Sequence, residues 1–75
     1  MTKKDLEVIL LEKKIRKDSY SLSGGLPNEA YCIHENDFGW EVYYSERGNK
    51  TGLKIFQNEN EACSYFCDLI FGIAK

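Results

Sequence analysis

The stretch that decides the fold is residues 29–57, EAYCIHENDFGWEVYYSERGNKTGLKIFQ. Three runs in it, residues 29–35, 40–46 and 51–57, are rich in the aromatic and β-branched side chains that favour strands. The links between them, NDFG at residues 36–39 and RGNK at residues 47–50, have the composition of hairpin turns. Because both links are too short for a crossover, the runs are predicted to form an antiparallel three-stranded meander.

The sequence on either side of the three runs predicts helices. Residues 3–17 are mostly lysine, glutamate and leucine without glycine or proline, and residues 18–28 have the composition of a loop. At the other end, Asn58 can cap a helix with Glu61 three residues later. The last helix has an apolar stripe, formed by Ala62, Phe66, Leu69, Ile70 and Ile73. We therefore predict one α+β domain over residues 1–75, of order α-β-β-β-α, with both helices on one face of the sheet.

The first helix carries apolar residues on two sides, at 100° per residue. One side has Val8, Leu11 and Ile15, and the other has Leu6, Ile9 and Leu10. One interpretation is that the following loop partly covers the second apolar side. The other is that this side meets another protein.

The outer face of the sheet is expected to lie in solvent. Alternation along the second strand puts Trp40, Val42 and Tyr44 on one face and Glu41, Tyr43 and Ser45 on the other. Since Glu41 and Lys54 are charged, Tyr43 is predicted to point outward. The same argument predicts that Leu53 and Ile55 join Trp40 and Val42 in the core.

Charge is distributed unevenly along the chain. Residues 1–17 hold six lysines and arginines against three acids, a net +3, and residues 18–75 hold four against nine, a net −5. Between Asp18 and Glu46 there is no lysine or arginine, but there are six acids and six of the ten aromatic residues. Exposed rings supply contact area and carboxylates attract a basic partner. The predicted partner-binding residues are Glu35, Asp37, Phe38, Glu41, Tyr43 and Glu46.

Candidate chemical groups are few. Cys32, His34, Cys63 and Cys67 include three sulfurs and one imidazole, a permissible zinc set, but their spacing lacks the close cysteine pairs of zinc knuckles. Packing as small buried apolar residues is the favoured explanation of the cysteines, and whether these four residues do more than pack stays open. His34 has no sequence context that marks a catalytic triad. We therefore predict a protein that is not an enzyme and uses no cofactor or metal.

The cellular setting follows from cysteine usage and hydropathy. Three cysteines are an odd number, and the opening residues MTKKDLEV do not resemble a secretory signal peptide. The sequence contains no apolar stretch near the ~20 residues of a membrane span. A cytoplasmic protein without a membrane partner is expected.

The predicted topology resembles the double-stranded RNA-binding domain, which is also α-β-β-β-α. That family begins its second helix with Lys-Lys-x-Ala-Lys at the RNA phosphates. Here the corresponding residues 58–63 are NENEAC, so Ala62 matches but acids replace the lysines. Carboxylates at this place repel phosphate, and RNA binding is therefore not expected from the resemblance.

Three further segments resemble a family of small immunity proteins from bacterial polymorphic-toxin systems. They are GLPNE at residues 25–29, GWEVYYSERG at residues 39–48 and EACSYF at residues 61–66, within a likeness that covers roughly residues 20–70. The resemblance implies a cytoplasmic antidote that binds a cognate toxin domain and blocks it. It supplies no contact residues, so the six residues above rest on composition alone.

The sequence thus favours a non-catalytic immunity protein that binds and neutralises a cognate toxin domain through an acidic, aromatic face. A nuclease toxin would suit this face because nucleases need basic surfaces. Two alternatives stay open. One is a nucleic-acid-binding module that uses the basic first helix, and the other is a small homo-oligomeric protein, such as a homodimer formed by that helix's second apolar side.

Overall fold

The computed structural model of the chain describes residues 1–72, so Ile73 of the predicted stripe lies outside the described residues. Two helices pack on one face of a four-stranded sheet of order β1-β2-β3-β4. The elements are α1 (Lys3–Glu12), β1 (Tyr20–Ser21), β2 (Ala30–Asn36), β3 (Gly39–Glu46), β4 (Asn49–Phe56) and α2 (Glu59–Ile70). The α+β class, the meander and the two flanking helices are confirmed. The sheet has four strands rather than three.

The additional strand, β1, lies at the edge of the sheet beside β2. Tyr20 and Ser21 pair in parallel with Tyr31 and Cys32, just after a 3-10 turn at Lys17–Ser19. The sequence prediction had placed these residues in a loop. Two residues are too few to show alternation, so the sequence contains no signal for this strand.

Strands β2, β3 and β4 form the meander through two tight turns. Asn36 pairs with Gly39, which leaves two residues in the first turn, and Glu46 pairs with Asn49 across the second. In the second turn, Arg47 has φ 50° and Gly48 has φ 76°. Left-handed conformation at both central positions matches the right-handed twist of the two strands that the turn connects.

A β-bulge in β4 fixes which face its apolar residues occupy. The register shifts between the pairs Val42–Lys54 and Tyr44–Thr51, and Gly52 within the shift has φ 65°. Ile55 lies opposite Glu41, on the sheet face away from the helices. The prediction that Leu53 and Ile55 belong to the core is therefore wrong, and the two side chains are 44% and 50% exposed.

The charge of Lys54 had suggested that it points away from the helices, but it lies on the helix side. It pairs with the buried Val42 at the open edge of the sheet, and its ammonium group lies 5.7 Å from the centre of the Tyr65 ring on α2. An edge position lets the long side chain remain in solvent while its stem crosses the ring.

Helix α1 is shorter than predicted because it ends in a Schellman motif. Lys14 has φ 57°, its N–H donates to the Leu11 carbonyl, and the Ile15 N–H donates to the Leu10 carbonyl. Glycine usually occupies the left-handed position of this motif, and lysine takes it here. Since no glycine marks the end, the sequence predicted a helix to residue 17 instead of Glu12.

Helix α2 begins as predicted. The Asn58 side-chain oxygen accepts a hydrogen bond of 2.8 Å from the Glu61 N–H, and the Asn58 amide donates to the Glu61 carboxylate. Ala62 and Phe66 of the stripe are fully buried. Leu69 and Ile70 are partly buried against the same core.

One core joins both helices to the inner face of the sheet. Its fully buried members are Leu6, Leu10, Ile33, Val42, Ala62, Cys63 and Phe66. Val8 and Leu11, on the other side of α1, stay about half exposed. None of the helices within residues 1–72 is both long enough and apolar enough to cross a membrane.

Candidate functional site

The six predicted binding residues occupy three separate places. Glu35, Asp37 and Phe38 lie at the turn between β2 and β3, which we call the hairpin end. Glu41 and Tyr43 lie on the sheet face away from the helices, and Glu46 lies at the opposite end of β3. An eight-residue strand spans about 23 Å between its end residues. The six residues therefore do not form one continuous surface.

The hairpin end presents an exposed ring close in the chain to two exposed carboxylates. Phe38 is 79% exposed, the largest exposure among the exposed large apolar side chains of residues 1–72. Its N–H donates a 2.8 Å hydrogen bond to the Asn36 side-chain oxygen, which fixes the turn. Asp37 precedes it, and the exposed Glu35 lies opposite Trp40 on the adjoining strand. The Phe38 ring thus lies in solvent and does not pack against the core.

More acids lie at the same end of the sheet than the sequence analysis assigned to the site. Trp40 pairs with Phe56, the last residue of β4, so α2 begins beside the hairpin end. Its first turn carries Glu59 and Glu61. From the sequence, Glu61 is expected to cap the helix and, with Glu59, to repel phosphate. The register of the meander could have shown that these acids lie at this end of the sheet, because the two hairpins place residue 56 beside residue 40.

The structure corrects the prediction for Tyr43, which is fully buried instead of pointing into solvent. Its hydroxyl donates a 2.6 Å hydrogen bond to the Gly25 carbonyl, so the segment that contains Gly24 and Gly25 lies over this face. A Cβ atom added to Gly24 would lie 2.7 Å from Cγ of the His34 ring, which shows how closely this segment approaches the sheet. We call residues 22–28 the cover segment.

Glu41 has its partners within the fold. Its carboxylate lies 2.6 Å from Nε2 of His34, which is directly opposite on β2, and 3.3 Å from the Lys50 ammonium. Burial would raise the pKa of Glu41, but the hydrogen bonds from His34 and Lys50 outweigh burial and hold the pKa below its ordinary value. The geometry therefore gives Glu41 a stabilising contact under the cover segment.

The cysteines are in settings that suppress thiol chemistry. Burial raises the pKa of Cys32, Cys63 and Cys67, and that of Cys63 reaches about 11. The protonated thiol is a poor nucleophile, so none of these environments activates a cysteine.

The structure does not bring the cysteines and His34 together as one zinc-binding group. Cys32 and His34 lie on the covered outer face, whereas Cys63 packs in the core on the helix side. Among residues 1–72, no three His, Cys, Asp or Glu side chains are grouped so that they could hold a metal ion.

Tyr43 provides a test of the covered face. Burial raises its pKa from 10.0 to about 12, and the adjacent Cys32 and Glu41 add to the increase. Because the folded-state pKa is the higher one, neutral Tyr43 stabilises the fold below pH 10, and this contribution is lost as the pH rises toward 12. In urea unfolding between about pH 8 and pH 11, we expect Tyr43→Phe to lose about 1 kcal/mol less stability than the unmodified protein. An equal loss in both proteins would show that Tyr43 is accessible to water.

Comparison with known proteins found no match: no family model matches the chain, and no curated protein or solved structure matches it at a significant level.

Proposed function

We propose that the chain is a non-catalytic immunity protein that binds a cognate toxin domain and neutralises it. The observation that carries the proposal is the exposed Phe38 ring on a turn whose backbone is fixed by Asn36, in the same hairpin as the exposed acids Glu35 and Asp37. Because the backbone of the turn is already fixed and an aromatic side chain has few torsions to order on binding, the ring can fill a pocket on a partner as an anchor residue. The surrounding carboxylates favour a partner whose pocket has a basic rim.

The proposal places the contact at the hairpin end rather than along the predicted sheet face. Tyr43 and Glu41 already have partners within the fold, and Glu46 lies at the other end of β3. The exposed Glu61 in the first turn of α2 adds a carboxylate at the same end of the sheet. A nuclease toxin meets these requirements because its nucleic-acid site is basic. Occupying that site would exclude its substrate without any chemistry by this chain.

The test is capture of partners on the tagged protein from its source cells, followed by elution with a salt step. We expect a basic protein domain at about one copy per copy of this chain, because charge attraction across the contact weakens as salt increases. The Asp37→Lys/Phe38→Ala variant should bind the recovered domain at least about 30-fold more weakly, a loss of at least about 2 kcal/mol.

Stability provides the control for this variant. Both side chains are exposed, so the free energy of unfolding should change by no more than about 0.5 kcal/mol.

The double change Asp68→Lys/Leu53→Ala reverses one exposed acid and truncates one exposed apolar residue elsewhere. It should leave the affinity within about twofold, since it lies outside the proposed contact. If both variants weaken binding equally, the hairpin end is not the contact surface.

A further inference from the structure

A groove runs along α1 on the side of the molecule where β1 lies. It consists of two adjoining hollows of about 460 and 470 Å³ that share Glu7 and Leu22 in their walls. Lys3 and Lys4 border the first hollow, and Leu11 and Lys17 border the second. Each hollow is within the size range of binding pockets and can receive a bulky side chain.

The floor of the groove consists of apolar residues that lie mainly in the second hollow, with Leu22 shared by both hollows. Leu11 is 51% exposed, and Tyr20 and Leu22 are partly buried beside it. Val8, on the same side of α1, is 48% exposed. The side of α1 that carries Val8 and Leu11 therefore stays in contact with water. A contiguous exposed apolar surface is typical of an interaction site.

The charged residues of the groove are three lysines against the single acid Glu7, so its net charge is positive. Lys3, Lys4 and Lys17 form no ion pair with another described side chain, since the ion pairs within residues 1–72 involve Arg16, His34 and Lys50. The first 17 residues carry a net +3 within a chain of net charge −2. Positive charges around an apolar floor are complementary to a segment with acids around apolar side chains.

From this geometry we infer that the groove is a second docking site, which takes an acidic helical peptide segment of another protein. The α1 residues that border the two hollows are about one helical turn apart, a distance of about 5.4 Å. Two side chains at positions i and i+4 of a helix have nearly this spacing and point the same way. A helix lying alongside α1 can therefore place one apolar side chain in each hollow and its acids against the lysines.

The same geometry disfavours other anionic partners. Glu7 lies where the two hollows meet, so a phosphate backbone, which is charged at every nucleotide, would meet a carboxylate at the centre of the groove. A peptide can place apolar side chains near Glu7 and its acids only beside the lysines. The apolar floor offers nothing to a sugar-phosphate chain. A flat membrane surface would reach the lysines on the rim but not the floor.

The test uses two fluorescein-labelled helical peptides of leucine, alanine and glutamate or lysine. Both carry leucine at positions i and i+4, and the second has lysine wherever the first has glutamate. In fluorescence anisotropy, we expect the acidic peptide to bind the unmodified protein and the basic peptide not to bind. Lys4→Glu/Lys17→Glu and, separately, Leu11→Gln should each weaken binding about tenfold or more, because they remove the rim charge or the floor contact.

Two controls separate this site from the rest of the surface. Arg47→Glu/Lys54→Glu makes the same change of charge on the β3–β4 side of the sheet, and it should leave binding within about twofold. Asp37→Lys/Phe38→Ala should bind the acidic peptide like the unmodified protein, because the hairpin end lies outside the groove. If the inference about the groove fails, the proposal for the hairpin end therefore still stands. The inference is overturned if the acidic peptide does not bind, or if either control loses as much affinity as the groove variants. Binding of a single-stranded RNA or of anionic vesicles without binding of the peptide would also overturn it.

Discussion

Replacing Phe66 by alanine is expected to lower the free energy of unfolding by about 3–5 kcal/mol. Phe66 is fully buried, and it belongs to the cluster that joins both helices to Ile33 and Val42 of the sheet. Truncating it removes the transfer free energy of the ring and leaves a cavity that neighbouring side chains fill only in part. The whole domain has a stability of the order of 4–11 kcal/mol at this length, so the loss is a large share of the total.

Urea unfolding followed by circular dichroism measures this effect. Ser64→Ala on the exposed side of α2 is the matched control, and it should change stability by less than about 0.5 kcal/mol. Phe66→Leu should fall between the two, because it retains most of the apolar volume. A loss below about 1 kcal/mol for Phe66→Ala would mean that the helices do not pack on the sheet as described.

Replacing Gly39 by alanine is expected to cost at least about 3 kcal/mol, because backbone strain and a steric overlap act together. Gly39 has φ 136°, a conformation that L-residues rarely adopt, and an added Cβ would overlap the carbonyl oxygen of Phe56 on β4. That oxygen belongs to a strand backbone, so relief requires the two strands to separate. The change should also displace the hairpin end and weaken partner binding.

Gly48→Ala separates strain from overlap. Gly48 has φ 76° and nothing within 4 Å of an added Cβ, so its replacement should cost only the backbone strain, about 1–2 kcal/mol. Thermal and urea unfolding of both variants provide the comparison. Equal losses at the two positions would show that β3 and β4 do not approach each other at Gly39 as closely as described.

The parts of the fold that the sequence predicted correctly depend on local signals. Asn58 and the residues after it determine the start of α2, and the spacing of Ala62, Phe66, Leu69 and Ile70 determines its buried side. The two short links determine the meander, because two tight turns allow only antiparallel neighbours. Each of these signals lies within a few residues of the feature that it predicts.

The errors concern contacts between residues that are distant in the chain. Alternation correctly separated Tyr43 from Val42, but it could not show that the cover segment, about 18 residues earlier, lies over Tyr43. For Ile55, the charge of Lys54 suggested the wrong face, because an edge strand lets a lysine occupy the helix side and still reach water. The bulge at Gly52 further changes the register within β4.

The candidate site was predictable in composition but not in shape. The acidic, aromatic window indicated a binding surface and included Glu35, Asp37 and Phe38. It also included Glu41, which binds His34 and Lys50, because sequence does not show which acids already have a partner. Two apolar sides on one basic helix indicated that α1 has an exposed apolar surface. They could not predict the groove, because part of its wall, Tyr20 and Leu22, comes from a segment about ten residues later in the chain.

The most direct test of neutralisation at the hairpin end is a growth assay with the basic domain captured by this chain. Cells that express this domain alone should stop growing, and co-expression of the unmodified chain should restore growth. Asp37→Lys/Phe38→Ala, expressed at the same level, should fail to protect, whereas Asp68→Lys/Leu53→Ala should protect fully. A captured domain that does not impair growth, or equal protection by both variants, would contradict the proposal.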